Sequence, residues 1–266
     1  MTQLSLVIVA MNEERTIGKV LEAARGLADE IILVDSGSTD TTKQIATKYG
    51  AKVFEQKWLG YAGQKNFALG LATGDWLLSL DADEVLTPEL KDEIKQVLAD
   101  GSCTEYDGFK IPRILYIGDR PVMHSGFYPD AQLRLIKNGA GLFNDRLVHE
   151  AIKVRGKVRQ LCHPMNHYSY VDVAQFQRAM DKYARLSAKE YLKNNEKKRS
   201  ATQFEEVVHP LWTFFYRFFI RQGFLDGKLG FELCLHYSNY VAKKIRYLRE
   251  LQQQPQPPDQ QQQPQP

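Results

Sequence analysis

WLLSLDADE, residues 76–84, decides the fold: five residues that are apolar or small run straight into three carboxylates within four positions. An apolar run of this length, bounded by polar residues, is what a strand buried on both faces of a parallel sheet requires. Working outward, similar runs lie at Leu4 to Ala10, Ile31 to Val34 and, more briefly, at Val53 and Phe54. Amphipathic stretches separate them: one reaching Arg25, one with Ile45, Ala46 and Tyr49 at helical spacing, and one from Gln64 to Ala72. Strand and helix in alternation predict an α/β domain around a mostly parallel sheet. Ser38 or Thr39 is expected to cap a helix, as is Thr87, with Pro88 in the first turn and an end near Gly101.

Downstream the rhythm changes. Residues 107–136 form shorter strand-like runs among Gly, Pro and Asp, which predicts an antiparallel extension. A long helix follows from Val173 to Lys198, with Phe176, Met180, Tyr183 and Leu186 on one face and eight basic against three acidic residues through Arg199. Then come LWTFFYRFFI at 211–220 and a last helix over about 228–251. The final fifteen residues are nine Gln, five Pro and one Asp, a composition that builds no core and predicts disorder. The expected division is a catalytic domain over 1–170, with its halves meeting near residue 100, a helical extension over 171–251, and the tail over 252–266.

Composition excludes several classes. With 43% hydrophobic and 25% charged residues among 266, the chain is an ordinary globular protein. A net charge of +3 is too small for a dedicated nucleic-acid binder. Cys103, Cys162 and Cys234 are scattered and odd in number, which suits a reducing compartment. The start, MTQLSLVIVAMNEER, lacks a basic n-region and a cleavage site and is expected to be a strand. No run is long enough to span a bilayer.

Three acidic loops follow three of the apolar runs, at 12–14, 35–40 and 81–84. Ligands of open α/β sheets bind outside the carboxyl ends of the strands, so these loops are expected to converge on one crevice. Asp81 and Asp83 are the sharpest signal. At i and i+2 of an extended segment they point to one side and suit a hard divalent ion, Mg²⁺ or Mn²⁺, completed by phosphate oxygens. The plainer alternative is a cap region ahead of the helix at Pro88. His163 and His167 are four apart, but Pro164 forbids the helix that would pair them, so no zinc site is expected there.

The segments LSLVIVAMNEERTIGKVLEAA, ADEIILVDSGSTDTTKQIATKYGAKV, GYAGQKNFALGLATGDWLLSLDADE, GFYPDAQLRL, LVHE and HPLWTFFYRFFIRQGFLDG resemble, in this order, the family-2 glycosyltransferases. The lipopolysaccharide-core β-glucosyltransferase branch is the nearest in pattern. The resemblance implies a GT-A fold, which is Rossmann-like with a mostly parallel central sheet, carrying here a helical C-terminal extension. It further implies a nucleotide-sugar donor, with UDP-glucose expected in this branch, a divalent metal, inversion, and a lipopolysaccharide-core or related saccharide acceptor. Carried over, Asn12 and Glu14 lie on the first nucleotide-binding loop, Asp35 recognises the uridine and Ser38 contacts the nucleotide. Gln64, Lys65 and Asn66 close over the donor, and Asp81 and Asp83 form the metal and diphosphate motif. Lys65 has a solvated helical lysine as its alternative.

Inversion needs a base on the acceptor side. Asp130 is the choice, with Glu150 and Asp145 as rivals and a Pro-Asp turn as the plain reading. His149 is a further candidate for metal or phosphate. Arg134 and Arg146 are candidates for acceptor or phosphate groups, or else ion-pair partners. The aromatic run at 211–220 with Arg217 and Arg221 suits either an interfacial helix on an anionic leaflet or packing on the α/β domain. Peripheral attachment to the inner face of the cytoplasmic membrane is the expectation that follows. Two other functions share some of these features. A nucleotidyltransferase would carry a Gly-rich basic loop where Met11-Asn12-Glu13-Glu14 stands, and a non-catalytic sugar-binding protein would have no need of intact acidic loops.

Overall fold

The computed structural model describes residues 2–144, 151–194 and 201–253. The first half alternates β1 (Leu4–Ala10), α1 (Ile17–Ala23), β2 (Glu30–Asp35), α2 (Thr42–Lys48), β3 (Lys52–Glu55), α3 (Tyr61–Gly70) and β4 (Trp76–Asp81), then β5 (Glu84–Leu86) and α4 (Pro88–Ala99). The strand-rich middle comprises β6 (Gly108–Ile111), β7 (Arg113–Ile117), β8 (Arg120–Val122), β9 (Gln132–Lys137), β10 (Gly141–Phe143), β11 (Ile152–Val154), β12 (Val158–Gln160) and β13 (Met165–Tyr170). Helices α5 (Val173–Asn194), α6 (Gln203–Phe215) and α7 (Gly227–Gln253) close the chain.

The central sheet has the order β12-β6-β9-β4-β1-β2-β3. Strands β1 to β4 are mutually parallel, and β9 runs antiparallel between β4 and β6. The fold is therefore mixed α/β with a mostly parallel centre and a helical C-terminal region. Alternation along β1 explains why its sequence is apolar throughout. Leu4, Leu6 and Ile8 pack with Ile17, Val20, Leu90 and Ile94 on one face. Val7 packs with Ala68, Leu69, Leu77 and Phe143 on the other. Both faces are covered, so no position of the strand is left for a polar residue except small ones such as Ser5.

A second sheet, β5-β13-β7-β8, lies beside the carboxyl edge. Its β7 and β8 supply Ile117 and Val122 to a smaller core shared with Phe176 and Met180 of α5 and Leu229 and Leu233 of α7. The Thr87 cap is present, its hydroxyl accepting from the Leu90 N–H (3.2 Å), and Gly101 follows α4 at φ +74°. The second helix begins later than expected. Asp40, rather than Ser38 or Thr39, accepts the Thr42 N–H (2.9 Å), because Ser38 is held by Asp35. Helix α7 extends two residues beyond the expected end. The remaining tail, 254–266, lies outside the described residues.

Candidate active site

Register aligns the ends of three strands: Ala10 pairs with Asp35, and Val9 with Asp81. The loops that leave β1 and β2 are laced to each other by hydrogen bonds. The Ser38 hydroxyl accepts the Asn12 N–H (2.9 Å), and the Asn12 side-chain oxygen accepts the Thr39 N–H (2.9 Å). Asn12 adopts φ +58°, a left-handed conformation that Asn tolerates better than most residues. The Glu14 carboxylate accepts from the Thr41 hydroxyl (2.8 Å), and Thr42 accepts the Glu13 N–H (2.8 Å). Asp35 is fully buried. One of its oxygens receives the N–H groups of Gly37 (2.9 Å) and Ser38 (2.8 Å), while the buried Oδ1 has no partner among the described residues.

At the end of β4 the expected extended segment is replaced by a turn at Ala82 and Asp83. The cause is local: the Glu84 carboxylate reaches back to accept the Asp81 N–H (2.9 Å). The turn gives the two aspartates different surroundings. Asp81 is held between Lys65 (2.6 Å) and Arg134 (2.5 Å), and although burial opposes its charge, Arg134 and Lys65 drive its carboxyl far below the usual range. Asp83 instead faces the Nε2 of His167 at 3.4 Å. Strand β13 brings His167 there by pairing it with Glu84, next in the chain after Asp83.

A chain of charge runs inward from this point. Arg134, 5% exposed, bridges Asp81 and the buried Glu84 (2.7 Å), and Arg113 bridges Glu84 (2.8 Å) and Asp130. Gln132 donates to the other oxygen of Asp130 (2.7 Å). Burial would raise the Asp130 carboxyl, but Arg113 and Gln132 overcome it and hold it below its usual value. At the mouth Glu13 moves the opposite way. Burial raises it, and Asp83, Asp40 and Asp81 add to the rise against a hydrogen bond from Thr16.

A family profile, glycosyl transferase family 2, matches residues 5–126, which carry β1 to β8 and all three acidic loops. Over 257 residues the chain is 33% identical to an uncharacterized glycosyltransferase of Rickettsia conorii, covering 93% of this chain and 90% of the relative. The chain belongs to glycosyltransferase family 2. It is also 29% identical over 268 residues to the lipopolysaccharide core biosynthesis glycosyltransferase LpsC of Rhizobium meliloti, covering 95% of each. Among solved structures it matches glucosyl-3-phosphoglycerate synthase from Mycobacterium tuberculosis, in complex with Mg²⁺ and uridine diphosphate. That match has 27% identity, covers 43% of this chain and 44% of the other, and has a TM-score of 0.35.

In this family-2 glycosyltransferase the expected donor residues divide into two groups. Asn12, Glu14, Asp35, Ser38, Lys65, Asp81 and Asp83 gather at the aligned strand ends. Gln64 and Asn66 serve neighbouring segments. Gln64 is fully buried and ties Ser36 (3.1 Å), Gln56 (3.0 Å) and Leu59 (3.2 Å), and Asn66 clasps the backbone of Phe143 through both N–H and C=O (2.8 and 3.0 Å). Arg134, expected near an acceptor or phosphate, is an interior ion-pair partner. Glu150, Asp145, His149 and Arg146 lie outside the described residues.

Three residues went unrecognised in the sequence. His163 and His167 go to different partners: His163 pairs with Glu93 (2.9 Å), while His167 faces Asp83. Only strand pairing brings His167 to Asp83, across 84 positions, and no local spacing could reveal it. Arg113 and Glu13 were equally silent, although Glu13 sits inside the quoted acidic loop. As a test of metal fit, both Asp81 oxygens are engaged by cations, whereas Asp83 and His167 offer a hard carboxylate and an imidazole side by side. No group of three such side chains is assembled among the described residues. The pair therefore fits a divalent ion that draws its remaining ligands from donor and water oxygens.

Proposed function

We propose that the chain transfers a hexose, glucose from UDP-glucose first among the candidates, to a lipopolysaccharide-core or related envelope saccharide, with inversion at the anomeric carbon. The observation that carries this reading is the pair of laced loops at the ends of β1 and β2, beside the aligned end of β4 where Asp83 stands opposite His167. Family membership supports the transfer chemistry, and the name of the Rhizobium relative supports the acceptor class. On this reading the buried, unpartnered Oδ1 of Asp35 is the acceptor for a nucleoside N–H or O–H. Asp83 and His167 would hold Mn²⁺ or Mg²⁺, which when bound supplies Lewis-acid stabilisation of the departing diphosphate. Lys65 adds a cation on the same side, beside Asp81.

Asp130 takes the proton of the acceptor hydroxyl. Arg113 and Gln132 fix the orientation of its carboxylate through hydrogen bonds to both oxygens, as a positioned base in a single displacement requires. A lipid-linked acceptor would be met at the inner face of the cytoplasmic membrane. The test is UDP release from UDP-glucose with Mn²⁺ and a core oligosaccharide. Release that needs the saccharide supports the reading, and release at the rate of donor hydrolysis alone contradicts it.

A further inference from the structure

Helix α6 turns its Glu206 inward, where it binds Arg246 (2.6 Å) and Arg249 (2.7 Å) of α7, and its Pro210 carbonyl accepts from Ser238 (2.6 Å). Its large apolar groups turn outward. Phe204 is 73% exposed, Leu211 66% and Trp212 61%, and Val207, Phe215 and Phe219 continue the stripe at three- and four-residue steps. Over Tyr216–Ile220 the backbone widens into a π-helical turn, and Phe224 and Leu225 extend the same apolar surface past it. The outer rings pack on one another, Trp212 against Phe215 at 5.7 Å and Phe215 against Phe219 at 5.2 Å, and not on the core. A contiguous exposed surface of this kind marks an interaction site.

We propose that this face docks on an anionic lipid bilayer. Charge selects the occupant. From Val207 to Leu225 the chain has no Asp or Glu; Arg217 is turned inward, and Arg221 is exposed at the end of the stripe. A two-fold self-contact would offer Arg221 no acid from this stretch, whereas an anionic leaflet supplies the counter-charge. The Trp and Tyr of the stripe suit the headgroup level, and no described helix is long and apolar enough to cross the membrane, so α6 lies in the interface plane. The inner side of the same segment grips the loop that leads to Asp130. Arg217 donates to the Ser125 carbonyl (2.5 Å) and stacks on Phe127 (4.8 Å), and the Arg221 carbonyl accepts the Ser125 N–H (2.9 Å). Docking therefore sets the Asp130 loop directly behind the membrane-facing stripe, the position from which a saccharide anchored in that bilayer is reached.

The docking does not depend on the transfer reaction and is tested without it. Full-length protein is sedimented with vesicles of phosphatidylcholine alone and of phosphatidylcholine mixed with phosphatidylglycerol. The expected result is binding to the mixed vesicles that weakens with salt, and a loss of roughly tenfold or more in the Leu211→Ser, Trp212→Ser double variant. Both side chains are exposed, so the variant keeps its melting temperature and its UDP affinity, which separates this test from any failure of the donor site. Absence of wild-type binding, equal binding by the variant, or a dimer in light scattering that the variant abolishes without any vesicle binding would each overturn the proposal.

Discussion

Asp81 and Asp83 are two positions apart and chemically unlike. One is neutralised by Lys65 and Arg134, and the other faces an imidazole at 3.4 Å. Two consequences can be measured at this scale. Arg134→Met removes the cation shared by Asp81 and the fully buried Glu84, and breaking a buried pair from one side costs about 3–5 kcal/mol. Urea denaturation is expected to show that loss, and a stability within about 0.5 kcal/mol of wild type would mean that water or Arg113 supplies the missing charge. Asp130→Asn keeps the hydrogen bonding to Gln132 but cannot take a proton. Turnover should fall about 100-fold or more while UDP affinity stays unchanged; near-normal turnover would move the base to Glu150 or Asp145. The sequence made the carboxylates legible because acids after apolar runs are a local signal. It hid Arg113 and His167, whose partners are set by the pairing of β7 and β13 with each other and of β13 with β5.

Among the elements, β1, β2, β4 and the helices between them were readable from apolar runs and caps. The antiparallel region was readable only as a change of rhythm, since its strands are three to six residues long and gain their register from long-range partners. Two side chains staple these elements to one another. Glu30 accepts from Lys52 of β3 (2.8 Å), from Ser5 of β1 (2.8 Å) and from Thr73 ahead of β4 (3.1 Å). Burial raises its carboxyl, but the bonds from Lys52, Thr73 and Ser5 win and lower it to about 2 from an ordinary 4.5. A depressed carboxyl stabilises the fold fully above its unfolded value and loses that contribution as pH falls. The melting temperature should therefore drop between pH 4.5 and about 2, and Glu30→Gln should flatten that slope; identical slopes would remove Glu30 from the acid transition. The second staple is Asn66 on Phe143. Asn66→Ala leaves both backbone groups of Phe143 unpaired and should cost about 1–3 kcal/mol in denaturant unfolding.

For the whole molecule, the parallel half presents the laced loops, the second sheet supplies His167 and Arg113, and α6 with α7 backs the loop that carries Asp130. The aromatic run was visible in the sequence. Its outward orientation was not, because a stripe at helical spacing looks the same whether it faces a core or a solvent, and only the inward ion pairs of Glu206 decide between them. The central claim is that donor and metal meet at the ends of β1, β2 and β4. Calorimetric titration of UDP into the wild-type protein, with Mn²⁺ and then with chelator, repeated on Asp83→Ala and His167→Ala, tests it most directly. Binding that needs Mn²⁺ and is lost in both variants, each still folded by circular dichroism, is the predicted result. Metal-independent binding, or full Mn²⁺-dependent binding retained by both variants, would contradict it.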